Sequence, residues 1–130
     1  MNIIMDRQIT IKAGTVRLEA VLRDSAITDA IWKSLPYEVQ GSTWGDELYF
    51  TIPAQINVPL ENPQDVVEVG DIGYWPAGNA FCIFYGPTPM STDEAPRPAS
   101  PVTVFGRIHG DATILRDIRP GTMVSVVNKE

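Results

Sequence analysis

Apolar and polar positions alternate with a period of two at the start of the chain. From Gln8 to Lys12, Ile9 and Ile11 share one face. Ala13-Gly14 supplies a turn, after which Val16, Leu18, Ala20 and Leu22 alternate with Arg17, Glu19, Val21 and Arg23. This pattern predicts an opening hairpin. The period then changes. Ile27, Ala30, Ile31 and Leu35 recur at helical spacing, with Asp24-Ser25 placed to cap the helix and Pro36 to stop it. A helix of about three turns is expected there, the only long one.

The later pattern is one of short strands. They are predicted at Tyr37–Gln40, Glu47–Pro53, Val66–Val69, Ile72–Trp75, Ala80–Tyr85, Val102–Ile108 and Met123–Val127. Asp111–Arg116 reads as a short late helical turn. Such a series with one early helix argues for a closed barrel or a sandwich. Between Pro87 and Pro101 the chain carries five prolines, so this stretch is a loop rather than a central strand.

Eight of the eleven aromatic residues fall between Trp44 and Tyr85. In the strand Ala80–Tyr85, Phe81, Ile83 and Tyr85 share one face, and Ala80, Cys82 and Phe84 share the other. Both faces are apolar, although a barrel wall needs only one. The second face is therefore either covered by another part of the chain or open as a groove or partner surface.

Composition narrows the function. The 130 residues suit one domain, with residues 1–6 read as a flexible N-terminal extension. The apolar fraction is 44% and the formal charge is −6, with no basic run. Nucleic-acid binding is disfavoured, because a phosphate backbone would be repelled. Met1–Arg7 has neither a basic region nor an apolar run, so no signal peptide is expected. No stretch has the ~20 apolar residues of a membrane span, and a cytoplasmic location is expected.

Chemistry-bearing residues are sparse. With one histidine, His109, and one cysteine, Cys82, neither a disulfide nor a His/Cys metal site can be built, and no cofactor is expected. Gly70, Gly73 and Gly78 form no phosphate-binding motif. Cys82 lies in the apolar run Phe81–Phe84, where a free cysteine packs as a small hydrophobe rather than pairing with His109 as a catalytic thiolate. Asp46 and Glu47 are neighbours and point to opposite faces. They read either as a solvated turn or as one group that orients a ligand.

Several of these runs resemble the small prokaryotic cyclophilin-like family. They are Thr43-Trp44-Gly45-Asp46-Glu47-Leu48-Tyr49-Phe50, Gly70-Asp71-Ile72-Gly73-Tyr74-Trp75-Pro76, Phe84-Tyr85-Gly86-Pro87-Thr88-Pro89 and Pro98-Ala99-Ser100-Pro101-Val102. The resemblance implies a mainly β fold, a compact closed eight-stranded barrel with one main early helix and a short late one. Cyclophilins are prolyl cis–trans isomerases with a hydrophobic pocket on the outer face of the barrel and an arginine beside it. Their strand Phe-His-Arg-Ile-Ile-Pro is similar to Leu48–Pro53, which puts the arginine position at Phe50. Their second pocket phenylalanine falls on Cys82 and their pocket histidine on Val102, and their Gln-Gly-Gly-Asp run has no counterpart after Pro53. Phenylalanine offers neither the charge nor the donor fork of arginine.

The leading expectation is a non-isomerase binding domain with an apolar groove for a small molecule or a proline-containing peptide. Its residues would be Phe50, Cys82, Phe84 and Val102, with Tyr49, Tyr74 and Trp75 at the edge and Glu47 as polar anchor. The alternatives are a weak isomerase using Arg97 or Arg107, an enzyme with Glu47 or Asp71 as acid–base group, and a homodimer formed through the aromatic face.

Overall fold

The computed structural model describes residues 7–129. The expected N-terminal extension, residues 1–6, lies outside the described residues. The alternating start forms the predicted hairpin, β1 (Arg7–Ala13) against β2 (Val16–Leu22), antiparallel with Ile9 opposite Ala20. Gly14 turns it at a φ of +60°, which glycine adopts without steric cost. The helix α1 (Ala26–Ser34) follows. The Ser25 hydroxyl accepts from the Thr28 amide at 3.1 Å and satisfies one free donor of the first turn. Ile27 and Ile31 of α1 are fully buried.

The remaining strands are β3 (Tyr37–Gln40), β4 (Ser42–Thr43), β5 (Glu47–Thr51), β6 (Asp71–Trp75), β7 (Ala80–Phe84), β8 (Thr103–His109) and β9 (Met123–Asn128). They join in one sheet of order β3-β9-β1-β2-β8-β6-β7-β5-β4. The two outer strands of that order, β3 and β4, are consecutive in the chain and separated only by Gly41, whose amide donates to the Thr122 carbonyl at 2.8 Å. The sheet is therefore a nearly closed barrel. It has nine strands where eight were expected, because the segment that spans the seam is broken at Gly41 into two.

One predicted strand is absent. Val66–Val69 is irregular, and the only ladder-type pairing beside it is an isolated bridge from Gln64 to Val102. Both flanks of β6 are already taken, by β7 and β8, so no ladder is open to it. Asp111–Arg116 does form a short helical turn, Ala112–Asp117, with the Asp111 carboxylate accepting from the Thr113 amide at 3.0 Å.

The interior is filled by one face of every long strand. Phe50 stacks on Phe81 at 5.0 Å between ring centroids, and Phe81 meets Phe105 edge-on at 5.4 Å. Tyr37 meets Phe50 edge-on and donates its hydroxyl to the Ile31 carbonyl at 3.3 Å, which ties the end of α1 to the core. Phe81 is fully buried at the centre of this stack. Phe81→Ala is expected to cost about 3–5 kcal/mol of folding free energy in chemical denaturation, and Phe81→Leu clearly less, because leucine leaves a smaller void.

Candidate functional site

The outer face of the β5–β7 ladder carries the candidate site. Glu47 pairs with Phe84, Tyr49 with Cys82 and Phe50 with Phe81. Opposed residues share a face, and the face alternates residue by residue. Glu47, Tyr49, Cys82 and Phe84 therefore point outward, and Phe50 points inward with Phe81. This corrects the expected grouping of Phe50 with Cys82 and Phe84. The resemblance puts a pocket residue at Cys82, and the β5 residue that shares its face is Tyr49. Tyr74 is corrected in the same way. It opposes Phe81 in β6–β7 and is buried in the interior, where its hydroxyl donates to Asn79 Oδ1 at 2.8 Å.

Much of the outer face is covered by the chain itself. Val67, Ala80, Cys82, Phe84, Val102 and Val104 form a second, smaller core, with Tyr49 and Trp75 packed against it. Gly73 makes this possible: a Cβ there would lie 3.0 Å from Val102 and 3.3 Å from Phe84. The cover comes from two segments that hold each other, since the Val67 amide donates to the Pro96 carbonyl at 3.0 Å. The proline-rich loop is internally bonded. Its Ser91 hydroxyl donates to the Ala95 carbonyl at 2.7 Å, and the Thr88 hydroxyl donates to the Arg97 carbonyl.

The cover leaves a gap of about 210 Å³ lined by Trp44, Glu47, Tyr49, Trp75, Pro98, Ala99 and Val102. Glu47, Tyr49, Trp75 and Val102 are thus brought together, while Cys82 and Phe84 lie beneath it in the second core. Trp44, Pro98 and Ala99 are additions. Trp44 belongs to the aromatic cluster visible in the sequence; Pro98 and Ala99 lie in a family-like run of the proline-rich loop, which carried no sign that they line a pocket.

The walls are firmly positioned. Trp75 donates its indole N–H to the Ser100 hydroxyl at 2.6 Å, and Gly78 leaves room for its ring, where a Cβ would come within 2.6 Å. The turn that presents Trp44 and Glu47 is closed by the Trp44 amide donating to the Glu47 carbonyl at 2.9 Å. It is clamped to the loop by the Asp46 amide donating to the Pro87 carbonyl at 2.9 Å. Gly45 has a φ of +58°, and a Cβ there would lie 2.9 Å from the Pro87 carbonyl oxygen and from the Thr88 Cα. Gly45→Ala is therefore expected to destabilise the fold by about 1–3 kcal/mol, measured by denaturant titration, through strained backbone and backbone overlap together.

Asp46 and Glu47 have different fates. Asp46 faces solvent and pairs with Arg116 at 3.3 Å. Glu47 is only 6% exposed, and its Oε1 is buried without a hydrogen-bond partner. Burial pushes its carboxyl up to about 7, and the neighbouring Cys82 thiol offsets this in part. Cys82 itself is driven well above the usual thiol range, first by burial and then by Glu47, so it is no thiolate nucleophile at neutral pH. His109 is exposed at the end of β8, opposite Glu19. Asp71 is committed to structure: it accepts from Arg107 at 2.9 Å and from the Glu68 amide at 2.8 Å. Among the described residues no cluster of three His, Cys, Asp or Glu side chains is placed to hold a metal ion, and no helix is long and apolar enough to cross a membrane.

The cyclophilin-like family matches residues 7–127, and the chain belongs to that family. The solution structure of the hypothetical protein AF2241 from Archaeoglobus fulgidus is similar to it, with 37% identity, 95% of each chain covered and a TM-score of 0.78. No curated protein matches the chain.

The state of Glu47 gives a signed pH dependence. In the unfolded chain its carboxyl ionises near the ordinary value of 4.5, whereas in the fold it stays protonated to about 7. Between these values the folded state binds more protons, so its contribution to stability falls as pH rises. The loss reaches at most about 3 kcal/mol above the folded value. Urea denaturation from acid to mildly alkaline pH is expected to show this decline in the wild type and to lose most of it in Glu47→Gln.

Proposed function

We propose that this cyclophilin-like protein is a binding domain rather than a prolyl isomerase, and that its ligand is a small molecule or a peptide side chain held in the Trp44–Glu47–Trp75 pocket. The observation that supports this reading is an apolar recess on the outer face of the barrel with the buried Glu47 carboxyl in its wall, one oxygen of which, Oε1, has no hydrogen-bond partner. Fold alone does not decide activity. The face on which a cyclophilin would present its arginine carries Tyr49 beside Cys82. Of the two arginines considered as substitutes, Arg107 is held by Asp71 and by the Val69 carbonyl. Arg97 adjoins the wall residue Pro98 but does not line the recess. A homodimer built on an open Cys82–Phe84 face has no such face to use, since both side chains are buried within the chain itself.

A second reading has one observation in its favour. A carboxyl that titrates near neutrality in an apolar wall has the properties of a general acid or base. Of the seven wall residues, however, only Tyr49 adds a further titratable group. This composition favours binding over catalysis.

A fragment screen by NMR is expected to shift the side-chain resonances of Trp44, Tyr49, Trp75 and Val102. Shifts confined to the Trp32–Pro36 side of the molecule would refute the site. In a coupled proline-isomerisation assay, micromolar protein is expected to leave the uncatalysed relaxation of ~10–100 s unchanged.

A further inference from the structure

Resting on the reading of this recess as a ligand site, we propose that it receives a protonated alkylamine: a small ammonium head that carries methyl or other alkyl groups and at least one N–H. The argument starts from what the wall offers. Three of its seven residues, Trp44, Tyr49 and Trp75, are aromatic, and one, Glu47, is an acid. Aromatic faces attract cations through their quadrupole, tryptophan most strongly, and the attraction grows when the cation is desolvated. Glu47 supplies a full negative charge once ionised. The influences on its carboxyl are burial and the Cys82 thiol, and no lysine or arginine is among them.

Other ligand classes fit less well. An anion would meet Glu47 directly. A pure hydrocarbon would leave Oε1 without a partner, at a cost of about 1–3 kcal/mol for a buried acceptor. An N–H on a cation offers the Glu47 carboxylate in the recess wall a charge-assisted bond. Its alkyl groups cover the apolar wall formed by Pro98, Ala99 and Val102. Size sets a limit too. At about 210 Å³ the recess is smaller than the ~300–1,000 Å³ pockets that hold drug-sized ligands, which suits an amine head. The formal charge of −6 on the chain favours the approach of a cation.

The test compares isosteres. Protonated N,N-dimethylethanolamine and neutral 3-methylbutan-1-ol have the same heavy-atom skeleton and differ at one position, N–H⁺ against C–H. Choline is the arm with the charge but no N–H. A peptide containing dimethyl-lysine presents the same head from a protein source. Binding is followed by NMR shifts of the pocket residues and by calorimetry at neutral pH. The dimethylammonium head, free or on the peptide, is expected to bind at least about tenfold tighter than the neutral alcohol, with choline between them. Whichever source binds tighter names the origin of the ligand. Glu47→Gln is expected to remove the advantage of the N–H-bearing head over choline, leaving only the weaker preference that the aromatic faces supply. Trp44→Leu, at a half-buried position, is expected to reduce it without disturbing the fold.

Equal binding of amine and alcohol in the pocket would overturn the cation assignment and leave the binding site standing. Absence of shifts in the pocket with every probe, in a protein that also gives none in the fragment screen, would overturn both.

Discussion

The antiparallel register between β5 and β7 is the constraint on which the rest depends. Setting Phe50 against Phe81 and Tyr49 against Cys82 decides, by period two alone, what fills the barrel and what faces outward. A slip of one residue would set Phe50 against Cys82 and put the side chains of one of the two strands on the wrong face of the sheet. The register is protected from within by the Phe50–Phe81–Phe105 stack. At one end it is held by Asn79, whose amide N–H groups donate to the Ile52 and Ala54 carbonyls and whose oxygen accepts from the Ile56 amide and the Tyr74 hydroxyl. Every donor and acceptor of that side chain is used, so the turn before β7 and the end of β5 move as one unit.

From this register the pocket follows. Two apolar faces on one strand require two cores, and the second is built from loops. Val67 and the 96–102 segment close over Cys82 and Phe84 but stop short of the Trp44–Glu47 turn, which Gly45 and Asp46 pin to Pro87. The recess is the space between a loop that covers and a turn that cannot move to meet it. Its one acid is buried there because Glu47 opposes Phe84 in the ladder, not because the local sequence is apolar.

The sequence makes the fold far more legible than the site. Hairpin, helix and most strands follow from local periodicity, because Ile9, Ile11, Leu18 and Ile27 report their own burial. The family runs add the barrel, although the seam at Gly41 turns the expected eight strands into nine. Val66–Val69 misleads because strand propensity cannot tell whether a neighbouring edge is free. Phe50 misleads for a related reason. A similarity of motifs places residues along a strand to within about one position, and one position is the difference between the two faces of a sheet. Pro98 and Ala99 belong to a family-like run, but nothing in the sequence marks them as pocket residues, since they reach the recess through the path of a loop.

The topology carries a consequence for how the chain is made. β1 is hydrogen-bonded to β2 on one side and to β9 on the other, with Ile9 opposite Asn128. β3 likewise finds its ladder partner in β9. During synthesis, two early strands and the helix between them must wait for residues 123–128 before their exposed edges are paired. The opening hairpin can form as it leaves the ribosome, but the cylinder cannot. This arrangement puts a burden on the nascent chain: its apolar Ile9–Ile11 edge stays unpaired until residues 124–128 have been made.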